Sequence, residues 1–395
     1  MRPYTLHINN FFFIIAAAII LLFNMKTPAQ TKGNDFSVKS WWQSAAPPFS
    51  PEIHPDRKVT FRVKAPDANK VELNFGEWNV VPQPMIKDTG GVWSITIGPL
   101  EPNLYCYTFS IDGVPSLDMN NPQAKIGQSV YGSEIDIPGT PPRFDKLQNV
   151  PHGVIQIYQY NSTPLKKTKG LYVFLPPEYL TQPNRKFPVL YLRHGGGDDE
   201  SNWSKSGRAG VILDNLIAEK KAVPMIVVMT NGMTDNSWSG GSSVEGMKLL
   251  EQELLKDVIP LIEKNLRVLK GRGNRAITGL SMGGGQALVM GLRNLDKFAY
   301  VGEFSSGLLS DKDFAVDKYL PGVTLDKSLN KKLKLFWLGC GDIDPRYNGH
   351  LALIDSFNKT GIKNEFHTSH GGHEWRVWRE QLCGFYQRLF KNTKN

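Results

Sequence analysis

The chain has 395 residues, an apolar fraction of 41% and a formal net charge of +9 at pH 7. That length exceeds one typical domain and suits two. Its Lys and Arg residues are scattered rather than gathered into the stripe that nucleic acid requires, which excludes a nucleic-acid partner, and three cysteines are too few for a disulfide scaffold.

At the amino end, Met1 to Asn10 carries Arg2 and no acid, and Phe11 to Phe23 is one apolar run, followed by Thr27-Pro28-Ala29-Gln30. Residues 1–30 read as a signal peptide, because the run is shorter than the ~20 apolar residues of a membrane span. Export to a periplasm or beyond is expected, with no membrane association after cleavage. Residues 31–57, rich in Pro, Ser and polar residues, read as a linker.

From residue 58 the period becomes two. Val59, Phe61 and Val63 alternate with polar residues, as do Val71, Leu73 and Phe75, and Trp93, Ile95 and Ile97. A fourth run, Tyr105, Tyr107, Phe109 and Ile111, closes on the hairpin signal Asp112-Gly113. Short alternating strands at this spacing predict an all-β sandwich over 58–137. Cys106 in the fourth run, and Cys340 further on, read as small buried hydrophobes.

Pro138 to Pro142 reads as a second linker, and residues 146–395 change character. Apolar runs such as "FPVLYLRHGGG", "MIVVMTNG" and "LKLFWLGCGD" alternate with helical patterns. Leu250, Leu254, Val258, Ile262 and Leu266 recur every fourth residue; Trp375, Trp378, Leu382, Phe385 and Leu389 recur at three and four. Strands alternating with amphipathic helices predict an α/β fold, a mostly parallel sheet covered on both faces.

Gly279-Leu280-Ser281-Met282-Gly283 follows the β-rich Ala276-Ile277-Thr278 and precedes a helical stretch reaching Arg293. Strand, sharp turn and helix are what a G-x-S-x-G nucleophile elbow of the α/β-hydrolase type demands, with Ser281 as nucleophile. A serine needs a base and the base an orienting carboxylate, in the chain order Ser, acid, His. Among the downstream histidines, His350 reads as a helix opener and His367 as a strand residue. His373, freed by the Gly371-Gly372 loop, is the base, with His370 in reserve. His367, His370 and His373 share no face, so no metal is expected, and no cofactor either. The acid is Asp342 or Asp344 at the carboxyl end of a strand, and their positions do not separate them. Two backbone N–H groups should form the oxyanion hole: that of Met282, and that of Gly196 in "RHGGGDD", with His194 orienting the loop. Asp344, if it is the partner, is expected to raise the titration midpoint of His373 by favouring its charged form.

"VTFRVKAPDANKVELNF", "GGVWSITIGPLEPNLYCYTFSIDGV" and "DMNNPQAK" resemble the immunoglobulin-like module found ahead of glycogen-branching enzymes, carbohydrate-binding module family 48. That family includes starch-binding members. "RHGGGDDESNW", "ITGLSMGGGQAL", "LGCGDIDP" and "GGHEWRVW" resemble carbohydrate esterase family 1, the feruloyl and acetylxylan esterases, with esterase D and mycolyltransferase relatives. The family's Cys-Gly-x-x-Asp pattern selects Asp344 over Asp342, and its Gly-Gly-His-acid pattern fits His373 and Glu374. His370 departs from it, standing where glycine is common. The resemblance implies an α/β-hydrolase fold behind the immunoglobulin-like sandwich, and a secreted serine esterase removing acyl groups, feruloyl first, from plant-wall xylan. Trp203, Trp238 and Trp375 are the candidates for an aromatic acyl slot. The alternatives are an acetylxylan esterase, a siderophore esterase and, outside enzymes, a carbohydrate-binding protein with an inactive hydrolase domain. A chain beginning near Asn149 is expected to keep some activity on a small ester.

Overall fold

The computed structural model describes residues 49–77, 79–308 and 316–391. The expected signal peptide, and the expected linker up to residue 48, lie outside the described residues.

The four alternating runs become strands Val59–Lys64, Val71–Phe75, Val92–Ile97 and Leu104–Ile111. They divide between two antiparallel sheets. One has the order Glu52–Ile53, Val59–Lys64, Val92–Ile97, Ile86–Lys87. The other has the order Gln83–Pro84, Val71–Phe75, Leu104–Ile111, Val130–Asp136, Ala124–Ile126, with Val114–Ser116 paired to Leu104–Ile111. Inward residues of both sheets, among them Phe61, Leu73, Tyr107 and Phe109, bury the core, and the Phe61 and Tyr107 rings meet edge to face at 4.7 Å. Asp112 and Gly113 both take positive φ, 48° and 86°, as a two-residue hairpin turn requires. The first sheet begins inside the expected linker: Glu52 and Ile53 pair with Thr60 and Val59, so the sandwich starts before residue 58.

The second region is one eight-stranded sheet, whose strands we number β1 (Val154–Ser162), β2 (Lys167–Leu175), β3 (Val189–Arg193), β4 (Ile226–Thr230), β5 (Arg275–Gly279), β6 (Tyr300–Phe304), β7 (Leu335–Gly341) and β8 (Glu365–Ser369). Their order is β1-β2-β4-β3-β5-β6-β7-β8; β1 and β2 run antiparallel, and β4 through β8 are parallel. The parallel strands are buried along their length, except β8 at the edge, and read as continuous apolar runs. Helices α1 (Ala209–Ala218) and α6 (Trp375–Tyr386) cover one face. Helices α2 (Val244–Glu253), α3 (Ile259–Asn265), α4 (Ser281–Arg293) and α5 (Tyr347–Thr360) cover the other.

A π-turn over Leu254–Val258 joins α2 to α3. It accounts for the four-residue spacing noted above: an ideal helix drifts off such a stripe at 3.6 residues per turn, and one wider turn recovers part of the drift. Leu250, Leu254, Val258, Ile262 and Leu266 are all buried as a result. In the parallel set, Arg193 lies level with Gly279, and Gly341 with Ser369. The chain therefore leaves β3, β5, β7 and β8 along a common edge, and each of those exits carries a candidate functional loop.

Candidate active site

Ser281 is placed by backbone geometry. It opens α4 directly after β5 and Leu280, with φ of 49°, a strained value for a residue with a side chain. The two glycines of the motif are steric necessities. A Cβ on Gly283 would lie 2.2 Å from the His194 carbonyl oxygen, and one on Gly279 would lie 2.5 Å from that of Gly283. Ser281 is thereby held at the positive end of a 13-residue helix.

His373 arrives from the loop after β8. Its Nε2 lies 2.9 Å from Ser281 Oγ and its Nδ1 lies 2.8 Å from Asp344 Oδ2. This fixes the tautomer: Nδ1–H donates to the carboxylate, and Nε2 accepts from the serine hydroxyl. Asp344 also accepts the Arg346 amide at 2.9 Å. Burial pushes the Asp344 carboxyl up, but the His373 bond and the Arg346 amide outweigh it and hold the group below its ordinary value. Asp342, three-eighths exposed, does something else: it accepts from the Gly371 amide and holds His370, both at 2.9 Å. The two aspartates share the loop after β7, one orienting His373 and the other bracing the glycine turn before it.

The His373 midpoint differs from expectation. Burial pushes it down; Asp344 pulls it up, as expected, but the Arg346 guanidinium pushes down again, and the net shift is below the ordinary 6.5. His367 stacks on Trp337 with ring centroids 3.6 Å apart, so His367, His370 and His373 face three different partners.

The loop after β3 carries Gly196, the expected second oxyanion donor. The Gly196 and Met282 N–H groups donate to no protein acceptor among the described residues. Gly197 must be glycine: its φ is 75° and a Cβ there would lie 2.6 Å from both Trp238 Nε1 and Tyr131 Oη, while one on Gly196 would push the Trp238 ring aside at 2.8 Å. His194 accepts the Gly232 amide at Nε2 (2.8 Å) and donates from Nδ1 to the Gly195 carbonyl (2.8 Å). Burial lowers its pKa to about 4, so it is a neutral brace for the loop. Beneath it, Arg193 donates to Gln286 of α4 at 2.7 Å, and Gln286 donates to the Gly232 and Gly241 carbonyls, joining elbow and loops through buried polar groups.

These groups face a cleft lined by Gly195, Gly196, Asp198, Trp238, Leu280, Ser281, His373, Trp375 and Trp378, together with Glu77, Lys125 and Tyr131 of the sandwich. Burial pushes the Asp198 carboxyl up to about 7 against the pull of Lys125. Trp375 borders the cleft but is only 2% exposed and packs edge to face on Trp378 at 5.5 Å, so its ring is core, whereas Trp238, 62% exposed, is where an acyl slot would need it. Trp203 is not: it is 1% exposed, donates Nε1–H to the Arg193 carbonyl beneath the loop and packs edge to face on Trp375 at 5.1 Å. Its indole faces inward, as core. Sequence reasoning missed Trp378 and the three sandwich residues, and a chain beginning near Asn149 would lack those three.

Residues 162–338 match the family model "Esterase", and residues 48–123 match "Carbohydrate-binding module 48 (Isoamylase N-terminal domain)". The chain carries an esterase domain. That domain is of the carboxylic ester hydrolase kind and is similar to feruloyl esterases. An endo-1,4-beta-xylanase/feruloyl esterase of Xylanibacter ruminicola is 33% identical over 349 residues, 86% of this chain and 46% of that protein. A solved ferulic acid esterase is 26% identical, with a TM-score of 0.53, over 60% of this chain and 98% of its own. An enterobactin esterase of Shigella flexneri shares the fold over 90% of this chain and all of its own, with a TM-score of 0.66 at 18% identity. The match spans less than two thirds of the length of the curated relatives, from 14% to 61%. The esterase match ends before Asp344 and His373, so those two rest on geometry.

Proposed function

We propose that the chain is an exported serine carboxylesterase that removes feruloyl groups from plant-wall xylan through Ser281, His373 and Asp344. The observation that carries this reading is the relay itself: a carboxylate, an imidazole and a strained serine in hydrogen-bonded sequence, opening on a cleft bordered by the exposed Trp238 ring. Ser281 Oγ attacks the ester carbonyl while His373 Nε2 takes its proton. The oxyanion forms against the Met282 and Gly196 amides. The imidazolium, steadied by Asp344, returns the proton to the departing sugar oxygen and leaves an acyl-enzyme. Water then gives its proton to His373 and attacks the acyl carbon, releasing the free acid and restoring Ser281. The flat Trp238 ring favours a planar aromatic acid over acetate.

No helix among the described residues is long and apolar enough to cross a membrane. The similarity to a xylanase/feruloyl esterase and the amino-terminal apolar run both support a secreted protein acting on polysaccharide. The test is a panel of methyl ferulate, acetylated xylan and a catecholate siderophore. We expect methyl ferulate to be turned over with the highest kcat/KM, and Trp238→Ala to raise KM for it severalfold while leaving KM for methyl acetate unchanged. Preference for acetylated xylan would make the chain an acetylxylan esterase. Preference for the siderophore would extend the fold-level likeness to the enterobactin esterase into a shared substrate.

A further inference from the structure

Two of the loops that build the site are gripped by the sandwich. The first is the glycine loop after β3. The Gly197 carbonyl accepts from Tyr131 Oη at 2.6 Å and from the Gln128 amide at 2.9 Å, while the Gly197 N–H donates to the Trp238 carbonyl at 2.8 Å. The peptide groups on both sides of Gly197 are therefore fixed, one residue beyond the candidate oxyanion amide of Gly196. Gly127, at the tip of the Ala124–Ile126/Val130–Asp136 hairpin, permits the approach, since a Cβ there would stand 2.6 Å from the Gly197 oxygen.

The second is the loop that carries His373. Two residues after it, α6 begins at Trp375, whose N–H is a free donor of the first turn. Glu374 supplies no side-chain cap. Glu77 of the sandwich does: its Oε2 accepts the Trp375 N–H at 3.1 Å, while Lys125 holds Oε1 at 2.8 Å.

We propose that the sandwich is a positioning element of the active site: Tyr131 sets the oxyanion loop, and Glu77 sets the start of the helix behind His373. This inference rests on the serine-esterase reading above. An amide donor contributes to an oxyanion only when it is aimed at it, and a misplacement of about 1 Å can cost on the order of 100-fold. One hydroxyl bond out of three on Gly197 should matter less than that.

The test uses the full chain. Tyr131→Phe removes only the hydroxyl and should lower kcat on 4-nitrophenyl acetate about tenfold, with KM within twofold. It should slow labelling of Ser281 by a fluorophosphonate, which needs the serine and its loops but no particular ester, by a similar factor. Val71→Ala, a core change in the sandwich away from both loops, should lower the melting temperature and leave kcat unchanged. Tyr131→Phe at wild-type kcat and labelling rate overturns the inference while the esterase reading stands. So does an equal loss in Val71→Ala, which would make the effect one of general loosening. A folded wild-type chain that no fluorophosphonate labels overturns both.

Discussion

Two of the histidine–carboxylate pairs at the carboxyl edge of the sheet differ in the company their ring nitrogens keep. His373, on the cleft, has an acceptor at Nδ1 (Asp344) and a hydroxyl donor at Nε2 (Ser281). His350, in the first turn of α5, is wholly buried and has acceptors at both nitrogens. The Arg346 carbonyl stands 2.8 Å from its Nδ1. The Glu303 carboxylate faces its Nε2, with Oε1 at 2.9 Å and the aligned bond to Oε2 at 3.1 Å. One donor and one acceptor make a neutral imidazole; two acceptors make a cation. The shifts run in opposite directions accordingly. Burial lowers both groups, but Glu303 and Cys340 carry His350 well above its ordinary value, whereas Asp344 fails to do so for His373 against burial and Arg346. The same two residue types thus make a base in one place and a buried ion pair in the other, and partners rather than burial decide which.

The open pair should break hardest. Ser281→Ala should cost on the order of 10⁶ in kcat. Asp344→Asn should cost roughly 10⁴, because an amide no longer selects the Nδ1–H tautomer. Asp342→Asn, which loosens only His370 and the Gly371 turn, should cost about tenfold or less. Steady-state rates on methyl ferulate rank the three, and a larger loss for Asp342→Asn would move the acid's role to it.

The sealed pair should break in stability instead. Glu303→Gln leaves His350 buried without its counter-charge, a change that costs roughly 3–5 kcal/mol. Because the folded His350 value is raised, the pair's contribution is complete below the unfolded midpoint of about 6.5 and fades as pH climbs through the raised folded one. Denaturant melts of wild type and variant should therefore differ most at acid pH and converge on the alkaline side. If the two differ least at acid pH, His350 is not the cation its partners imply.

This contrast was only partly legible in the sequence. Ser281 was, because the elbow is a local device of five residues. His373 was placed by its glycine loop, and Asp344 needed the family resemblance, since Asp342 lies two residues away on the same turn. His350 was rightly placed at the start of a helix, but its partner Glu303 is 47 positions away and invisible to periodicity. The same limit hid Tyr131, 66 positions from Gly197, and Glu77, 298 from Trp375. Trp203 misled because composition near a loop says nothing of which way an indole points. Strand β1 escaped notice since an edge strand exposed along most of its length shows no clean alternation.

Arg346 joins the two pairs, and altering it should give the smallest and sharpest effect. Its carbonyl serves His350, its amide serves Asp344, and its guanidinium lies 3.0 Å from His373 Nδ1 and 3.2 Å from Nε2. Both ring nitrogens already have in-plane partners, so this cation sits against the ring face, where it opposes protonation. Arg346→Met keeps both backbone contacts and removes only that charge. The base works when neutral, so activity falls as pH drops through the His373 midpoint, which in the wild type lies below 6.5. Without the guanidinium the midpoint should rise, and the acid limb of kcat/KM should move to higher pH while the plateau rate changes little. The guanidinium is about a quarter exposed, so added salt should narrow the gap between wild type and variant. An acid limb that stays put, or moves to lower pH, would mean that burial alone sets the His373 value and that Arg346 serves the two pairs only through its backbone.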